Sequence, residues 1–423
     1  YPITPIVTLT ENQRDKSAIL DRALNDRTNM KPFSIHCVTP WLTIIVAAAV
    51  WLVMLTVGSA AASDSPQVEL PPDVISTLHY LLDLVNNEDG EAYDARRIAP
   101  LMTFIIAPKK DNVLYSADNS FGAPSAYNEF AVKAGIQRIT DYILDADIPS
   151  FFFWPSSLRL SRWTQVVGGD GQFARLRAAS NDLDAPFTLK GVEHITITPD
   201  QHTGAYYSYD VDKLVILCPY QKGKIMINIY RQQEPSAVGR RGWVLGKDEE
   251  WSYLYTRDKG LNVKGLGWAN TYMYDSFGVT VYYQADPEKP VVTCGTVSWV
   301  KAGWASINMV QSKHIHRGLV RVADAFTEVM EDPRLPEPAT LAKTFSKSKD
   351  LPTPTLRAYA KDYLSGLEQR IASSDTLSKK VGGKFDSQTL LEQMTHDELY
   401  AVLALDYLKK LLGHDPVIDS HPF

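Results

Sequence analysis

Between Glu193 and Asp212 the chain reads EHITITPDQHTGAYYSYDVD, which gathers Glu193, His194, Asp200, His202, Tyr207, Tyr209, Asp210 and Asp212 into one stretch. Imidazoles and carboxylates at that density are the raw material of general acid–base catalysis. They would make His194, Asp200, His202 and Asp210 the catalytic set of a hydrolase-like enzyme. The spacing fits no metal motif, because the two histidines stand eight apart across Pro199 and no HExxH or cysteine-based set accompanies them. No metal site is therefore expected. The alternative for the same residues is a loop rimming a sheet, with Asp and His side chains closing its turns. Other motifs add no chemistry. His314 and His316 would lie about 200° apart on a helix and do not converge on one ion. GRRGWVLG, from Gly239 to Gly246, lacks the strand and helix that frame a phosphate loop. Neither a GxSxG elbow nor a CxxC pair nor a CxxCH haem site occurs. That balance weighs against an enzyme, and no cofactor is expected.

The 423 residues carry a net charge of -6, which offers no polycationic footprint for nucleic acid. Export is a different matter. Residues 1–29 have mixed charge and no apolar period, and are read as a non-native or disordered extension ahead of Met30-Lys31. A short basic region, an apolar run from Trp41 to Val57 and the small residues Ala60 and Ala62 then form a signal over 30–62, with cleavage after Ala62. A retained signal anchor is the alternative, since the run is long for a signal core. The chain is thus expected to be periplasmic or secreted, or membrane-anchored if the signal stays. Beyond it only Cys218 and Cys294 remain, either bonded or as two buried thiols on neighbouring strands.

Elements that would position the polar residues can be read from periodicity. In the N-terminal part, 63–189, DVISTLHYLLDLVNN forms a helix capped by Asp73, with Leu78, Leu81, Leu82 and Val85 on one face. PLMTFIIAP reads as a buried strand between prolines. SAYNEFAVKAGIQRITDYILDAD reads as a helix from a capping Ser125, with Phe130, Ile136, Ile139 and Ile143 in a stripe. IPSFFFWP reads as a short aromatic strand. Across 190–332 the period changes to two: Ile225, Ile227 and Ile229 alternate with Lys224, Met226 and Asn228, the pattern of a half-buried strand. The strands follow one another through short turns, so they imply an antiparallel meander interrupted by a Gly-rich insertion over 239–267.

A helix is predicted from about Ser306 to Met330, with Ile315, Leu319, Val322, Phe326 and Val329 in one stripe and Lys313, Arg317 and Arg321 on the far side. Those three cations form either a solvated face or a basic stripe that meets an acidic or envelope partner or lipid headgroups. Residues 333–354 read as a Pro/Lys/Ser linker, 355–413 as a helical pair with the capping box Thr395-x-x-Glu398, and 414–423 as a tail. The fold class is therefore α+β: an antiparallel meander gripped by a long amphipathic helix, with an α-rich N-terminal part and a C-terminal helical pair.

The stretch VTVYYQADP, the following strand, WVKAGWASINMV and HIHRGLVRVADAF resemble the C-terminal end of START-like (SRPBCC) helix-grip domains over about 278–330. The resemblance implies that the last strand passes through a Trp/Gly break into a helix closing an apolar, lipid-sized cavity. Ile315, Leu319, Val322 and Phe326 would then face the sheet and some of them line the cavity, with Tyr272, Tyr274, Tyr282 and Tyr283 offering apolar rings with polar tips; the alternative is that the helix residues fill a solid core and the tyrosines form core and cross-strand pairs. The function so implied is a non-enzymatic exported binding protein for an apolar or amphipathic ligand.

Overall fold

The computed structural model describes residues 66–423, apart from 87–92, 111, 120, 182, 202, 264–266 and 383–384. The N-terminal extension, the signal segment and His202 lie outside the described residues.

Fifteen strands are described, beginning with β1 (Gln67–Glu69), β2 (Leu114–Ser116), β3 (Ser125–Val132), β4 (Leu158–Val166) and β5 (Phe187–Ile197). Next come β6 (Ala205–Tyr206), β7 (Ser208–Tyr220), β8 (Gly223–Gln232), β9 (Arg240–Val244) and β10 (Tyr253–Lys259). The last are β11 (Leu261–Val263), β12 (Gly267–Ala269), β13 (Thr271–Gln284), β14 (Val292–Trp304) and β15 (Ile307–Asn308). One antiparallel sheet of eight strands dominates, in the order β15-β14-β13-β8-β7-β5-β4, with β3 also paired to β14. This is the expected meander, now joined by β3 and β4 from the N-terminal part and by β5, which begins at its end. Within the Gly-rich insertion β9 and β10 pair, and β6 joins them as a second sheet, β10-β9-β6; the β11–β12 hairpin follows. At the β7–β8 turn a side chain on Gly223 would meet the Gln284 carbonyl oxygen of β13 at 1.9 Å, so only glycine fits there.

Both faces of the sheet are covered. On one, Leu214, Ile216, Ile225, Ile227, Ile229, Val279, Val281 and Trp299 pack under α1 (Pro72–Asn86) and α2 (Ala99–Ile106). Leu78, Leu81, Leu82 and Val85 of α1 are buried there, as their periodicity predicts. On the other face lie α3 (Ile136–Ile143), α4 (Gly171–Asn181) and α5 (Ser312–Glu331). Met226 is as buried on that face as its isoleucine neighbours are on the first, so β8 is covered on both sides rather than half-buried.

Four local expectations are corrected. PLMTFIIAP is the helix α2: Pro100 occupies its first turn, where the missing N–H costs nothing, and Leu101, Met102 and Ile105 are buried on one side. An eight-residue apolar run carries no period that separates the two readings. The helix expected from Ser125 is instead β3 followed by α3. Pairing with β14 satisfies the β3 backbone, and Ser125 Oγ bonds Ala117 rather than capping a helix. IPSFFFWP forms a 3-10 turn over Ser150–Phe152 whose three phenylalanines are all buried. Finally, α5 starts at Ser312, because Ile307 and Asn308 pair back onto β14.

The segment read as a linker holds α6 (Pro338–Lys349), with Leu341 and Phe345 fully buried. The expected helical pair is four helices: α7 (Thr353–Ala372), α8 (Asp375–Val381), α9 (Ser387–Gln393) and α10 (His396–Leu411). The Thr395/Glu398 capping box is formed. Leu367, Ile371 and Leu403 share a core with Trp243, Leu245 and Leu254 of the insertion, so the tail packs intramolecularly. Cys218 and Cys294 are free and buried. They sit on opposite faces of the sheet, in different core clusters and with β8 and β13 between their strands, which excludes a bond. Burial pushes both thiols up, Cys218 to about 11, so neither is a ready nucleophile.

Candidate functional site

The polar stretch from Glu193 to Asp212 is divided by the strand period. On β5 and β7, His194 stands opposite Asp210, with Nδ1 donating to Oδ1 at 2.6 Å. On the next rung Thr196 and Ser208 share a hydrogen bond of 2.7 Å. Glu193 points to the other face, where it is buried, accepts from Ser161 Oγ and pairs with Lys213 Nζ at 2.5 Å. Lys213 in turn lies 5.3 Å from the Trp163 ring. Asp200 closes a turn by accepting from Thr203 N and Oγ1, and Asp212 accepts from Gln233. Tyr207 and Tyr209 are core residues beside Met273 and Ala302. The described residues of the stretch therefore do not converge on one reacting atom. Among the described residues no three His, Cys, Asp or Glu side chains gather as a metal site.

The helix stripe is graded. Phe326 is 1% exposed, stacks on Trp154 (5.7 Å, 12°) and touches Phe130 and Tyr282. Ile315 is buried, whereas Leu319 and Val322 at midspan stay partly accessible. Lys313 and Arg317 are exposed, but Arg321 turns toward Asp248 (3.4 Å) and interrupts the basic stripe. Tyr282 is buried against Phe326, and Tyr283 lies on the opposite face. Tyr272 and Tyr274 stack on each other at 6.0 Å near the β15 hairpin, away from the helix stripe.

The course of α5 defines a region of the sheet that the sequence did not single out. Val310, just before the helix, packs with Tyr209, Met273 and Ala302, while Phe326 and Val329 belong to the cluster around Tyr282 and Cys294. The helix thus spans the face from one apolar cluster to the other. One flank meets β3, where Glu331 accepts from the Lys133 N–H at 2.7 Å. The other meets the approach to β4, where Ser156 Oγ donates to the Arg321 carbonyl at 3.3 Å. β3 and β4 are at opposite sides of the sheet, about 29 Å apart if it were flat. α5 is therefore held on one side by β3 and on the other by the loop that leads into β4.

Beneath midspan, cross-strand registers align Asn228, Thr280, Thr296 and Asn128 on β8, β13, β14 and β3. All four are partly accessible. One rung along, Tyr230 lies over Gly278, where a Cβ would come within 2.8 Å of its ring, and its hydroxyl reaches Ser298 at 3.2 Å. Burial raises the Tyr230 pKa, although its hydrogen bonds to Ser298 and Ser276 oppose the shift, so the phenol is a neutral donor. The neighbouring rung in the other direction, Met226, Tyr282, Cys294 and Phe130, is apolar. On the opposite face the rung Ile229, Val279, Val297 and Tyr127 is completely buried. Under α1 and α2 the central rungs of the same strands are therefore apolar, with charge only toward the margins at Glu129 and Arg231, whereas under α5 the central rung is polar. Among the described residues no donor reaches the buried Asn228 Oδ1. Such an acceptor is costly unless a donor is supplied from elsewhere.

A second polar group was also missed. Arg159, on the bulged start of β4, pairs with Glu398 of α10 at 3.3 Å and lies 4.0 Å from the Tyr255 ring. Together with Tyr253, Tyr363, Leu367 and Met394 it lines a small recess beside β10 rather than under α5. Neither a protein-family model nor a curated protein matches the chain.

Proposed function

We propose that this chain is an exported, non-enzymatic binding protein that holds an amphipathic ligand between α5 and the sheet, in the manner of START-like helix-grip domains. The observation that carries the reading is the contrast between the two sheet faces. A solid core has no use for a polar rung at Asn228, Thr280, Thr296 and Asn128, partly accessible and spanned by a helix. The ligand's polar part would meet these side chains, and its apolar part would lie along Leu319 and Val322. Phe326 and Tyr282 close one end of the site as packed wall. A purely apolar ligand would leave the rung unpaired, which makes it the poorer match.

Native mass spectrometry of protein purified from its own cells should show a stoichiometric organic adduct. Leu319→Trp should remove the adduct with little loss of stability. A chain without adduct, in which Leu319→Trp costs about 1–3 kcal/mol by overpacking, would overturn the reading. Export rests on the segment 30–62, so the mature N-terminus should lie near Ser63. A detergent-requiring species that keeps Trp41 to Val57 would make the protein membrane-anchored instead. Among the described residues no helix is long and apolar enough to cross a membrane.

A further inference from the structure

We infer that the β14–β15 hairpin, together with the first turns of α5, docks on an anionic lipid surface. Six large apolar side chains are well exposed among the described residues, and two of them, Ile307 (53%) and Met309 (45%), stand side by side on this hairpin. Trp304, partly exposed, sits opposite Ile307. The tip is held open to solvent by an unusual turn: Ala305 and Ser306 both adopt positive φ, 51° and 62°, without being glycine. Tyr274 fixes it by accepting from the Ser306 N–H at 2.8 Å, with Tyr272 stacked behind. An apolar tip ringed by Trp and Tyr is the composition that settles at a bilayer interface, with aromatic rings at headgroup level.

The charge around the tip selects the kind of surface. Between Glu288 and Asp324 the sequence contains no acidic residue, but it contains Lys289, Lys301, Lys313, Arg317 and Arg321. This is a basic block in a chain of net charge -6. Arg321 is turned toward Asp248, and Lys301 stands opposite the half-buried Asp275. Lys313 and Arg317 are exposed on the two turns that directly follow Met309. Cations beside an inserted apolar tip favour phosphate-bearing, anionic headgroups over zwitterionic ones.

The test uses the full chain and vesicles of phosphatidylcholine, with or without phosphatidylglycerol, carrying brominated acyl chains that quench nearby tryptophan. The anionic vesicles should quench a fluorescence component that disappears in Trp304→Phe. Ile307→Asp/Met309→Asp should weaken that quenching at least about fivefold, and Lys313→Glu/Arg317→Glu should weaken it only where phosphatidylglycerol is present. All these side chains are at least partly exposed, and unchanged circular dichroism would show that the variants fold. Vesicle binding without Trp304 quenching would assign membrane contact to another segment and overturn the inference. So would equal quenching on pure phosphatidylcholine. A shift from dimer to monomer in Ile307→Asp/Met309→Asp, with lipid contact unchanged, would make the hairpin a protein interface and overturn it as well.

Discussion

Replacing Glu398 with alanine is expected to lower the unfolding free energy by about 3–5 kcal/mol, measured by urea denaturation near neutral pH. One carboxylate serves three partners. It pairs with Arg159, which is almost fully buried, bonds Arg257, and accepts from the Thr395 N–H at 2.9 Å to close the α10 capping box. Removing it leaves the Arg159 guanidinium buried without its counter-charge, and its Nε already has no partner among the described residues. Arg159→Leu/Glu398→Leu should recover much of the loss, because an apolar pair of similar volume avoids the stranded charge. If the double variant were as unstable as Glu398→Ala, packing rather than charge would explain the site. The same group sets an acid limit. Burial pushes the Glu398 carboxyl up, but Arg159, the Thr395 N–H and Arg257 outweigh it and hold the pKa below its ordinary value. Its stabilising contribution is therefore complete above the ordinary carboxyl range, near 4.5, and is lost as pH falls through the depressed value. In Arg159→Leu/Glu398→Leu that part of the acid sensitivity should be missing.

The Arg159–Glu398 pair also shows where sequence reading stops. Glu398 is legible as a capping residue, because Thr395 precedes it by three, and that local role is present. Its partner lies in another element far away in the chain, and nothing in the spacing around Leu158 and Leu160 points to it. The polar rung has the same character. Thr280 between Val279 and Val281 reads as a routine strand position. It becomes informative only once the register sets it beside Asn228 and Thr296. Long periodic elements are another matter. The isoleucines of β8 and the meander follow from side-chain alternation, and the stripe of α5 from the 3.6-residue helical period, both of them local properties. Short apolar runs such as 99–107 are not decided locally, and tertiary pairing turned 125–132 into a strand against its helical pattern. The dense polar stretch at 193–212 is dispersed for a related reason. Adjacency in sequence places consecutive strand residues on opposite faces, so Glu193 and His194 never share a site.

Phe326→Ala is expected to cost about 3–5 kcal/mol, whereas Leu319→Ala, seven residues earlier on the same stripe, should cost about 1 kcal/mol. The sequence pattern gives no reason for the difference, since both positions are apolar and share one face of α5. Packing supplies it. Phe326 is enclosed by Trp154, Phe130 and Tyr282, so truncation leaves a cavity walled by rigid rings that cannot collapse into it. Leu319 is partly accessible at midspan and has less contact to lose. α5 would then be anchored at its C-terminal half and loosely seated over the polar rung, an arrangement that lets a molecule enter without unfolding the core. Urea denaturation of the two variants measures the gradient directly. Equal losses would mean that α5 is uniformly packed along the sheet, and the room required for a ligand beneath it would be gone.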